Sequence, residues 1–181
     1  MSTHHLILGD LTDYITGRVL ADTHDERARQ SLARILVDEK GFDRSQIETA
    51  VLLPVAVDND AGSVRVDFVI RLNQRIGLIV VYGPGAIVSR QRPALAAGRL
   101  LATYVIPRVV ISNGEDAYVM DGYSGKVIGR GLAAIPSRTD VLAAQETSAE
   151  MRLDDDRRNK EQRILFCMEV LTERECQCNE C

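Results

Sequence analysis

The chain has 181 residues, a length that suits one domain with its own core, and its 45% hydrophobic and 27% charged residues are those of a soluble globular protein. No apolar run approaches the roughly 20 residues needed to cross a bilayer, and Met1–Asp10 lacks the basic stretch and apolar block of a signal peptide, so no membrane partner is expected and the expected location is cytoplasmic. A net charge of −4 argues against strong non-specific binding to nucleic acid, yet it leaves room for a local patch of arginine, which carries nearly all the positive charge because Lys40, Lys126 and Lys160 are the only lysines.

In chain order, Asp10–Gly17 predicts a short helical turn closed by glycine. Thr23 or Asp25 caps a helix from about His24 to Lys40, with Ala28, Leu32, Ile35 and Leu36 at helical spacing and Gly41 as its stop. Ile47–Val57 reads as a strand whose Pro54 belongs at an edge or bulge, and Asp58–Ser63 as a turn. Val64–Arg71 alternates, with Val64, Val66, Phe68 and Ile70 on one face and Arg65, Asp67, Val69 and Arg71 on the other. Asn73–Arg75 turns the chain into Ile76–Tyr82, apolar on both faces as a central strand is. Gly83-Pro84-Gly85 breaks that strand; it lacks the Gly-Lys-Ser/Thr ending of a phosphate loop and reads as a turn.

Arg90–Tyr104 predicts a helix, and Val109–Ile111 a strand ending in the Asn113-Gly114 turn. Ala117–Met120 and Lys126–Ile128 predict short strands around Asp121-Gly122, and Pro136 ends the unit. Thr139–Glu150 and Asp154–Cys176 predict helices, the second with Ile164, Met168 and Leu171 as an apolar stripe that would pack on the domain, on a second copy in a homodimer or on another protein partner. Helix, three strands, helix, strand is the order of an α/β sandwich with a mixed sheet.

Several segments carry a more specific likeness. They are Asp13-Tyr14-Ile15-Thr16-Gly17; Glu26-Arg27-Ala28-Arg29-Gln30 with Leu32 and Leu36; Glu39-Lys40-Gly41-Phe42; Arg65-Val66-Asp67-Phe68; and Ile111-Ser112-Asn113-Gly114. In order and spacing, from Leu11 to Pro136, they resemble the N-terminal nuclease domain of type I restriction enzyme R subunits. The resemblance implies a restriction-endonuclease-like α/β sandwich, a mixed central sheet flanked by helices; residues 1–137 are read as that domain, and the two helices expected after Pro136 as a helical C-terminal extension over 138–181.

It also implies a PD-(D/E)xK centre, in which an aspartate and a following acid hold Mg²⁺ and a lysine two residues beyond offsets developing charge. The sequence departs from that pattern. Leu78-Ile79-Val80-Val81-Tyr82-Gly83-Pro84, aligned on its proline, places Val80 where the acid belongs and Tyr82 where the lysine belongs. Glu26 and Asp67 match retained acidic positions, and Glu48 on the neighbouring strand is the one further carboxylate that could join them on Mg²⁺ or Mn²⁺. Against these roles stand plainer ones: Asp67 paired with arginine, Glu26 as a first-turn acid favoured by the helix dipole, and Arg27 and Arg29 as salt-bridging surface residues.

The four cysteines lie near the chain end. Cys176, Cys178 and Cys181 sit within six residues, and Cys167 on the preceding helix could complete a tetrahedral zinc site. An iron–sulfur cluster and a redox-active tail remain open. The leading expectation is a catalytically degenerate member of the nuclease superfamily, retained for binding or assembly. The alternatives are an active Mg²⁺-dependent endonuclease rewired around Glu26, Glu48 and Asp67, and a metal-binding or redox-responsive regulator working through the cysteine tail.

Overall fold

The first two strands, β1 (Asp10–Thr12) and β2 (Val19–Ala21), form an antiparallel hairpin, seen in a computed structural model that describes residues 6–148 and 151–170. A helical turn was expected here. The turn lies between the strands, where the Asp13 carboxylate accepts from the Ile15 N–H at 2.9 Å and the Thr16 hydroxyl at 2.8 Å. Gly17, at φ 73°, closes it with an N–H bond to the Asp13 carbonyl.

Helix α1 (His24–Arg34) starts where the Thr23 side chain accepts from the Glu26 N–H. It widens into a π-turn over Ile35–Glu39, and Gly41, at φ 75°, ends it. Strands β3 (Ile47–Val57), β4 (Asp60–Leu72) and β5 (Arg75–Tyr82) then form an antiparallel meander. The expected Asp58–Ser63 turn shrinks to two residues, because Asp58 takes φ 54° and Asp60 already pairs with Val57. Asn73 and Gln74, both at positive φ, make the second reversal, in the left-handed pair whose twist suits a hairpin.

Helix α2 (Gln91–Leu100) crosses over to β6 (Arg108–Ser112), which runs parallel to β5. Antiparallel β7 (Ala117–Asp121) and β8 (Val127–Arg130) complete a six-stranded mixed sheet in the order β3 to β8. Pro54 therefore lies on an edge strand, the place in a sheet where a missing N–H is tolerated. Helix α2 stops short of the expected Tyr104. The Arg158 guanidinium donates to the carbonyls of Arg99, Leu100 and Ala102, satisfying groups a longer helix would have used.

Helix α3 (Arg138–Thr147) begins at a Ser137–Asp140 capping box, and α4 (Asp155–Leu165) at Asp154, whose side chain accepts from the Arg157 N–H. One sheet face packs on α1 and α3 through Leu32, Leu36, Phe68, Leu78, Val80 and Val141. The other packs on α2 and α4 through Val66, Ile79, Ala97, Val109, Ile111 and Leu165. Gly98 has to be glycine, since a Cβ there would collide with the Val109 side chain. The buried stripe of α4 and the π-turn after it (Phe166–Val170) is Glu161, Leu165, Phe166 and Val170; Met168 is exposed and Ile164 half-buried, and Leu171 lies outside the described residues. The shift from the expected stripe has a cause: Glu161 is neutralised by Arg92 and Arg99, so a charge can occupy an inward position. Among the described residues no helix is long and apolar enough to cross a membrane.

One departure from simple alternation shapes everything downstream. Val64 and Val66 pack toward α2 and α4, while Phe68 and Ile70 pack toward α1. The strand changes face at Asp67, opposite Ala50, which takes φ 53°.

Candidate functional site

Strands β4 and β5 pair as far as Phe68 and Val80, and beyond that point they diverge. Asp67 fills the fork. Its Oδ2 accepts the Tyr82 N–H at 2.7 Å, and its Oδ1 lies 2.8 Å from Arg29 Nε and 3.3 Å from Arg65 Nε. The carboxylate is 4% exposed, so these contacts replace solvent almost completely.

Helix α1 supplies the facing wall. Residues three and four apart share a helix face, and Glu26 uses both spacings, accepting from Arg29 Nη1 at 3.3 Å and from Gln30 Nε2 at 2.9 Å. The Gln30 carbonyl in turn accepts the Tyr14 N–H at 2.6 Å, which ties the hairpin turn to the site. Arg29 thus bridges Glu26 and Asp67 with one guanidinium.

Val80 is fully buried in the α1-side core. The Tyr82 ring lies under the Arg29 guanidinium at 4.9 Å, and its hydroxyl donates to Asp25 at 3.0 Å. Burial first, and then the bond to Asp25, push the phenol up to about 12. A raised value in the folded state means that the contribution to stability is complete below the unfolded phenol's value, near 10, and is lost as pH climbs toward about 12. Ultraviolet titration is expected to show a late phenolate component that disappears in Tyr82→Phe; an unchanged profile in that variant would contradict this placement.

The fold therefore gathers Glu26, Asp67, Val80 and Tyr82, but not Glu48. Glu48 pairs with Val69 across the ladder, on the α2 and α4 face, and its exposed carboxylate binds Arg71 at 2.8 Å. Simple alternation from Ala50 would have put Glu48 on the face of Asp67; the positive φ at Ala50 turns it away. Among the described residues no three acidic, histidine or cysteine side chains are arranged to hold a metal ion. The Mg²⁺ that the nuclease pattern implies does not fit the residues present, since both oxygens of Asp67 are engaged and a valine stands beside it. Sequence reasoning underrated Arg29. The signals were its i+3 spacing from Glu26 and the Arg65-x-Asp67 pair on the facing strand.

Two recesses meet at this cluster. A groove of about 310 Å³ runs between the hairpin and β4, and its wall includes Arg18, Arg29 and Arg65. A pocket of about 220 Å³ opens on the α2 side. Both include Arg29, Arg65 and Asp67. Cys176, Cys178 and Cys181 lie outside the described residues, and Cys167 is exposed on the π-turn.

No curated protein and no solved structure matches the chain. The family model for the type I restriction enzyme R protein N terminus matches residues 24–136. That span is more than half of the chain and contains α1, the forked β4–β5 pair and the Asp67 cluster, so the chain belongs to the family of type I restriction enzyme R protein N-terminal domains.

Proposed function

We propose that this chain is a catalytically degenerate member of its family, retained to bind nucleic-acid phosphate without cutting it. The observation that carries the reading is the state of Asp67: its carboxylate is consumed by Arg29, Arg65 and the Tyr82 N–H, with Val80 and Tyr82 at the positions of the missing acid and lysine. A metal-dependent nuclease needs at least two carboxylates free to share an ion and a cation for the developing charge.

Binding is supported by the unequal use of charge around the groove. The acids are satisfied internally: Asp13 by its own turn, Glu26 by Arg29 and Gln30, and Asp67 by two arginines. The donors are not exhausted. Arg18 has no side-chain partner among the described residues, and Arg65, nearly half exposed, engages Asp67 with its Nε at 3.3 Å; both guanidinium side chains line the groove. Arginine N–H groups suit phosphate oxygens.

Fluorescence anisotropy with a short labelled DNA strand tests this. Binding that weakens with salt is expected, with the salt slope falling by about 2 in Arg18→Ala/Arg65→Ala, and no cleavage is expected with Mg²⁺ or Mn²⁺. Binding indifferent to both arginines, or metal-dependent cleavage that disappears in Asp67→Ala, would overturn the reading.

A further inference from the structure

We infer that the groove and the neighbouring pocket form one nucleotide site, the groove holding a phosphate and the pocket an unstacked base; the inference rests on the phosphate-binding reading above. The pocket is a gap in the packing between α2 and the sheet. Its lining takes Pro93 and the almost fully buried Ala94 and Ala97 from α2, Val81 from β5, Ile111 from β6, Leu165 from α4, and the acidic Glu169 from the π-turn. Arg90, which has no side-chain partner among the described residues, lines the pocket and supplies hydrogen-bond donors beside these apolar walls. With Arg29, Arg65, Asp67 and Tyr82 also in its lining, the pocket is as polar as it is apolar, which suits a planar heterocycle that is apolar on its faces and polar at its edge.

The link to the groove is physical. Arg29, Arg65 and Asp67 belong to both recesses, so a phosphate on the guanidinium groups would leave its own base within reach of the pocket. The fork between β4 and β5 makes this junction, and Asp67 holds the fork through the Tyr82 N–H. A base already unpaired enters such a pocket at the least cost, because unstacking and unpairing are then largely avoided. The ligand class is a nucleotide, either free or as an unpaired residue within a strand.

The test uses the full chain and compares DNA strands that differ only by an unpaired thymine or an abasic residue at one position. About a tenfold preference for the base-containing strand is expected, the scale of one base packed on a protein surface. Ala97→Leu, which fills the gap from α2 without touching an arginine, should bring the two strands to within about twofold while leaving the abasic strand's affinity unchanged. Ala94→Met serves the same purpose if Ala97→Leu folds poorly. Thymidine monophosphate added as competitor separates the sources: displacement of the strand assigns the site to free nucleotides as well, and no displacement confines it to residues within a strand. Equal affinity for the two strands, or a preference that survives both filling variants, overturns the inference while phosphate binding stands. Absence of any strand or mononucleotide binding overturns both.

Discussion

Glu161→Ala is expected to destabilise the protein by about 3–5 kcal/mol, the usual scale for stripping one partner from a buried ion pair. Glu161 is 2% exposed and sits between Arg99, at 2.6 Å, and Arg92, at 2.5 Å. Arg99 is itself buried, and desolvation holds its guanidinium below the usual arginine value even with Glu161 present. Its other nitrogens donate to the carbonyls of Gly122 and Tyr123, so it has no route to water when the carboxylate goes. The same contact fastens α4 to α2, so the loss should spread into the Leu165 and Phe166 packing. Urea unfolding measures it. An apolar replacement of the pair, Arg99→Met with Glu161→Leu, should recover most of the loss, and a single variant as stable as the parent would contradict the network.

Asp67→Ala is expected to cost about 2–4 kcal/mol, less than Glu161→Ala because Arg29 and Arg65 keep partial access to water. The sign is the informative part. Carboxylates gathered for a metal repel one another without it, and removing one commonly stabilises the fold at the expense of activity. Here Asp67 neutralises two arginines and accepts the Tyr82 N–H at the fork, so its removal strands three donors. A stabilised Asp67→Ala variant would mean that the carboxylate is held in reserve for a cation.

Much of the fold was legible because local chemistry states it directly. Thr23 and Gly41 bracket α1, the Asn73–Gln74 reversal sits between two apolar runs, and Pro54 marks the sheet edge. The β1–β2 hairpin was not legible: three-residue strands offer little periodicity, and Asp13 and Gly17 suit a helical turn as well as the one they make. The end of α2 was hidden because its cap, Arg158, lies far along the chain. The change of face at Asp67 was hidden for another reason. Positive φ at Ala50 has no signature in an alanine, yet it turns Glu48, the further carboxylate expected from the neighbouring strand, away from Asp67. Glu26, Asp67, Val80 and Tyr82 could be brought together on paper through motif spacing, and the i+3 spacing of Arg29 from Glu26 was legible too, but its reach across to Asp67 depends on how α1 packs against the β4–β5 fork.

The central claim is that Asp67 serves the arginines and the strand fork rather than a metal ion. Calorimetric titration of Mn²⁺ into the full chain, with the Asp67→Ala variant alongside, tests it most directly. The account predicts no heat assignable to Asp67, so that the two proteins give the same isotherm. A binding event present in the parent and missing in Asp67→Ala would contradict it.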